Sequence, residues 1–134
     1  MHSIIGRCVV VALLLGFAST ATAAEEVCYV VKGAVIIAQD DQNTFLGKIT
    51  NSFDSKSIFN EFGTYGNPFS SSSIWNQFYT FGNQFNPLSP FNQFSLSPPM
   101  IIKEGKILGY LSANKSIKSS ISPNLLKALC EDEL

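Results

Sequence analysis

The side chains able to do chemistry in this chain are few and cluster by type. Asp40-Asp41 and Glu104 fall in two polar turns. A fold that brought those turns to one end of a sheet would pair carboxylates, an arrangement that hydrolyses glycosides when one acid has a raised pKa. The same acids with backbone carbonyls would suit Ca²⁺, but Asp40-Asp41-Gln42-Asn43 lacks the D-x-D-x-D-G spacing. Turn chemistry alone accounts for acids at such places, so no catalytic, cofactor or metal role is expected of them. Trp75, Asn76 and Tyr79 are a different kind of candidate. They stand in a stretch rich in uncharged Asn and Gln. Flat rings meet the C–H faces of a sugar and amides meet its hydroxyls, so these three residues are the candidate ligand-binding set, for a carbohydrate or a peptide.

Composition removes other chemistries. Residues 1–23 have the three parts of an export signal: Arg7, an apolar run from Cys8 to Ala18, and Ala21-Thr22-Ala23 as the cleavage site. That run is too short to span a bilayer, so no stable membrane insertion is expected. Removing 23 of 134 residues leaves 111, one small domain that is periplasmic or secreted. His2 and Arg7 leave with the signal, so the mature chain has neither histidine nor arginine. Imidazole-dependent nucleophiles and His-ligated metals are thereby excluded. Eight lysines against ten carboxylates give a net charge of −2, with no footprint for nucleic-acid phosphates. Cys28 and Cys130 are the two remaining cysteines. In an oxidising compartment an even pair reads as one disulfide, the alternative being two buried thiols.

The candidate rings belong to a repeat. Ser57–Ser72 aligns without gaps on Ser73–Leu88 and then on a truncated copy from Ser89, with a period of 16. Ser57, Ser73 and Ser89 correspond, as do Asn60, Asn76 and Asn92, and Phe62, Phe78 and Phe94. Register of this kind implies a repeated backbone conformation over 57–97, with Asn closing Asx-turns and Gly and Asn admitting positive φ. Glu61 is the only charge between Ser57 and Ile102. Aliphatic residues are scarce there too, so the Phe rings are expected to supply the buried area.

Two further echoes flank the repeats. Ile36-Ile37, a turn and Phe45-Leu46-Gly47-Lys48-Ile49 reappear as Ile101-Ile102, Glu104-Gly105 and Ile107-Leu108-Gly109-Tyr110-Leu111. Each copy predicts a β-hairpin, over 34–51 and 100–114. Gly47 and Gly109 mark places of close approach by a ring or another backbone. Val27–Val31 reads as an additional strand. Ser122 as N-cap and Pro123 at N1 predict a helix over 123–131, with Leu125, Leu126 and Leu129 facing the core. The fold class expected is mainly β with a minor helical part: two duplicated hairpins in one small sheet, covered by the repeats, with a short C-terminal helix.

With these elements in order, the chain resembles a family of small, uncharacterised exported bacterial proteins. In that family tandem Ser-Ile-x-Asn-x-Phe-Gly-x-Tyr-Gly units lie between two "LGKL"-type hairpins. The likeness runs from about Ile36 to Leu129 and implies no activity or catalytic residue. Tyr79 departs from it, replacing the first Gly of the unit, which suggests a different bend in the second copy. The expected function is that of an exported, noncatalytic binding module without cofactor. The alternative is a self-associating structural protein that pairs its Asn/Phe repeats between chains.

Overall fold

The structure is a computed structural model that describes residues 22–134; residues 1–21, most of the export segment expected over 1–23, lie outside the described residues. Helix α1 (Ala23–Val31) is followed by strands β1 (Val35–Ile37) and β2 (Phe45–Lys48), the repeat segment, strands β3 (Met100–Lys103), β4 (Lys106–Leu111) and β5 (Ser120–Ile121), and helix α2 (Pro123–Cys130). One five-stranded mixed sheet runs β2-β1-β3-β4-β5. Both expected hairpins are in it, joined through antiparallel β1 and β3. The join is nearly two-fold symmetric, because Ile36 pairs with its duplicate Ile101, flanked by Val35–Ile102 and Ile37–Met100. The symmetry continues outward. Lys48 bridges Ser57 in parallel, as Tyr110 pairs with Ser120.

Local signals explain the turns. Glu104 and Gly105 both have positive φ, 53° and 76°, as a two-residue hairpin turn with the strands' own twist requires. In the first hairpin the Asp40 carboxylate accepts from both the backbone N–H and the hydroxyl of Thr44. Both glycines of the duplicated strands are crowded, as expected. A Cβ on Gly47 would stand 2.8 Å from Ile58 Cγ2 and Tyr65 Cβ, and one on Gly109 would overlap the Ser119 carbonyl.

The segment expected to be an extra strand, Val27–Val31, is helical. Thr22 caps α1 by accepting from the Glu25 N–H, and Glu25 and Glu26 sit at the positive end of the helix dipole. Burial there skips by three, at Cys28 and Val31, while Tyr29 and Val30 are exposed. In α2, Ser122 accepts from the Leu125 N–H and Leu126 and Cys130 are buried on one face. Leu125 turns outward, contrary to expectation, and Leu129 packs at the core's margin. A Cys28–Cys130 disulfide joins the two helices, with Cα atoms 5.3 Å apart. The core gathers Ile36, Leu46, Ile101, Leu111 and Leu126 with Ile58, Phe59 and Ile74 of the repeats. Among the described residues no helix is long and apolar enough to cross a membrane.

Candidate functional site

The repeat segment is a chain of linked turns. Backbone N–H groups bond the carbonyl three residues back at Ser57, Asn60, Gly63, Ser70, Ser73, Asn76, Tyr79 and onward to Ser95. Gly63's carbonyl accepts from both Gly66 and Asn67, and Tyr79's from both Gly82 and Asn83. One step in each unit is therefore four residues long and the other four steps are three, which makes 16. The residue opening a step accepts from the N–H two positions on: Phe62 to Asn60, Phe78 to Asn76 and Phe94 to Asn92, at 2.9–3.1 Å. The same three Asn side chains donate to the carbonyls of Asp54, Ser70 and Asn86, six residues back. Equivalent Asn residues thus cap equivalent turns.

Three expectations about this segment are corrected. No residue of the repeats has positive φ. Gly66 and Gly82 are required by space instead, since a Cβ on either would overlap the backbone of Asn60 or Asn76. For the same reason Tyr79 in place of Gly63 does not alter the bend: the position has negative φ and both carbonyls take two donors. Nor do most Phe rings form the core. Every sixteenth residue pair returns to it, as Ser57-Ile58, Ser73-Ile74 and Ser89-Pro90, all fully buried. Between these returns the three-residue steps have interiors filled by backbone and Asn amides, which leaves no room for rings. Phe53, Phe62, Phe69, Phe78, Phe85 and Phe94 are 75–96% exposed.

Exposed rings and amides enclose a groove of about 1100 Å³ beside the second and third units. Its walls carry Trp75, Phe78, Phe85, Phe91 and Phe94, with amides from Gln77, Asn83, Gln84, Asn92, Gln93 and Asn124 at the mouth of α2. No lining residue is charged. The amides fall into two sorts. Asn92, like Asn76, is engaged at both ends in its turn, and Asn83 through its Oδ1, which accepts from the Phe85 N–H. Gln77, Gln84, Gln93 and Asn124 are exposed and form no hydrogen bond among the described residues, so their donors and acceptors face the groove unpaired.

Trp75 is held firmly in the wall. Its indole N–H donates to the Ile58 carbonyl at 2.6 Å. The Phe91 ring meets it edge-on at 5.8 Å, and the Lys127 ammonium lies 4.9 Å from its centroid. Lys127 also pairs with Glu131 at 3.8 Å. Of the three candidates from sequence, Trp75 lines the groove, Asn76 lies beneath it with its amide wholly in the scaffold, and half-exposed Tyr79 stands outside the lining. Gln77 and Gln93 escaped sequence reasoning, although a signal existed. They follow the turn-opening Asn by one position, where a turn directs side chains outward.

The acids of the hairpin turns are not brought together. Because β1 and β3 are antiparallel, with Ile37 opposite Met100, the turn after β1 lies at one end of the sheet and the turn after β3 at the other. Asp40's carboxyl is held below its ordinary value, first by the hydroxyl of Thr44 and then by its backbone N–H. It therefore remains ionised at neutral pH. Among the described residues no group of three or more His, Cys, Asp or Glu is placed to hold a metal ion. Comparison of the chain with protein-family models, with curated proteins and with solved structures gives no match.

Proposed function

We propose that the chain is an exported, noncatalytic binding module whose ring-and-amide groove takes a neutral, hydroxyl-rich ligand. The observation that carries this reading is the lining itself: five rings and four unpaired side-chain amides around about 1100 Å³, without a charge. Apolar walls with a few convergent polar groups are the usual make-up of small-ligand sites. Trp75 is the only tryptophan of the chain and reports on this groove directly. A saturable change in its fluorescence on titration with neutral glycans, little altered by salt, is the expected result. A response to charged ligands alone, or to none, would refute the reading.

A second reading rests on the five exposed Phe rings of the repeats, Phe62, Phe69, Phe78, Phe85 and Phe94, since exposed apolar surface is where protein–protein contacts form. In it the repeats of one copy dock on those of another. Light scattering across a concentration series separates the two: a binding module stays monomeric and a self-assembler does not.

A further inference from the structure

We infer that the groove recognises a repeating neutral saccharide, one sugar residue for each repeat unit; this rests on the binding reading above. The site is itself a repeat. Asn76-Gln77-Phe78 and Asn92-Gln93-Phe94 are built by the same pair of hydrogen bonds: Asn Oδ1 accepts from the Phe N–H (3.1 and 2.9 Å), and Asn Nδ2 donates six residues back (3.0 and 3.2 Å). Each copy presents one free Gln amide and one exposed ring to the same groove. Successive copies are close. Trp75 and Phe91, equivalent positions immediately before the two Asn residues, pack edge-on with ring centroids 5.8 Å apart, so the two copies adjoin in one wall. Two like subsites side by side in one groove match a ligand that itself repeats, and a single sugar would fill only one of them.

A peptide fits these observations less well. A peptide that adds to a sheet is held through main-chain hydrogen bonds to a free strand edge, and one in a polyproline helix brings proline rings rather than hydroxyls. Here the N–H groups of Trp75, Asn76, Phe78, Phe91, Asn92 and Phe94 are already engaged, by carbonyls three residues back and by Asn and Ser side chains, and no strand edge borders the groove. What the groove presents through Gln77, Gln93 and its rings is side-chain amide and ring face, which suit hydroxyls and C–H faces. The lining carries no charge and the Lys127 ammonium beside Trp75 is paired with Glu131, which disfavours uronate or sulfated polymers.

The test titrates the exported, disulfide-bonded chain with neutral oligomers of glucose, N-acetylglucosamine and mannose, each from monomer to hexamer, with uncharged peptides as a parallel series. Calorimetry and Trp75 fluorescence are the readouts. For one of the sugars, affinity should rise at least about tenfold from monomer to trimer as the second subsite engages. Gln77→Ala and Gln93→Ala should each weaken binding roughly three- to tenfold, by similar amounts, through one lost hydrogen bond. Glu61→Ala, the equivalent position outside the groove, should leave affinity unchanged. Both Gln side chains are exposed, so the variants should retain native melting temperatures. A monomer that binds as tightly as its hexamer, or a loss confined to one of the two Gln variants, would overturn the repeat inference while leaving the binding module standing. Binding of peptides in place of saccharides overturns the inference as well. Failure of every ligand overturns both readings.

Discussion

Replacing Gly66 or Gly82 by alanine tests whether space or backbone torsion dictates the glycines of the repeats. A Cβ at either position lies inside 3.0 Å of Asn60 or Asn76 backbone atoms, so no flexible side chain can yield. The carbonyl struck belongs to the residue whose side chain caps the turn, so relief means separating the four-residue step from the turn before it. Overpacking a fixed contact costs about 1–3 kcal/mol, and here it also strains two hydrogen bonds, so we expect about 3 kcal/mol for each variant. At about 4 °C per kcal/mol for a domain of this size, the melting temperature should fall by roughly 12 °C. Gly63→Ala is the control: its φ is negative, the nearest obstacle is the Ser55 carbonyl at 3.0 Å, and Tyr79 occupies the equivalent place in the next unit. Its effect should lie within about 1 kcal/mol, because reduced freedom of the unfolded chain offsets the tight contact. Denaturant unfolding followed by circular dichroism measures all three. Equal losses for Gly63→Ala and Gly66→Ala, or an unperturbed Gly82→Ala, would refute the steric argument.

Asn76→Ala should destabilise by about 2 kcal/mol, one for each hydrogen bond lost, while the adjacent exposed Gln77→Ala stays within about 0.5 kcal/mol; both follow from thermal melts. Reducing Cys28–Cys130, which closes a separation of 102 residues, should remove up to about 4.7 kcal/mol on the chain-entropy scale, read as a drop in the denaturation midpoint with reductant. Asp40 contributes to stability above its unfolded pKa, near 3.8, and that contribution is lost as pH falls through its lower native value. Thr44→Val should therefore raise the Asp40 titration midpoint toward 3.8, as followed by carboxyl NMR, and lessen the fall in stability below about pH 4.

Much of the architecture was legible because it repeats in the sequence. Hairpin duplication showed in the Leu-Gly motifs, the 16-residue period in Ser57, Asn60 and their equivalents, and the α2 cap in Ser122-Pro123. Val27–Val31 misled because β-branched and aromatic residues lean toward a strand and periodicity cannot tell so short an apolar run from a helix; Thr22 and the docking of Cys28 and Val31 decide it. The phenylalanines misled for a different reason. Hydrophobicity predicts burial only where an interior exists, and a three-residue turn closed by an Asn side chain has none to offer Phe62 or Phe78. The groove was half visible: Trp75 could be singled out by its chemistry. The division of amides into scaffold and free, Asn76 against Gln77, requires knowing which way each step of the chain faces.

The disulfide has a consequence for a molecule that has been cut. Both hairpins and the whole repeat segment lie between Cys28 and Cys130, inside one covalent ring. The exposed tips at Phe62 and Phe78 are natural points for a protease to enter. A single cut there opens the ring without releasing either part. The β1-containing piece and the β3-containing piece remain tied through their helices and zipped along Ile36–Ile101. Such a nicked chain should migrate as one species on a non-reducing gel and as two when reduced, so a clipped protein can pass for an intact one until its sulfurs are separated.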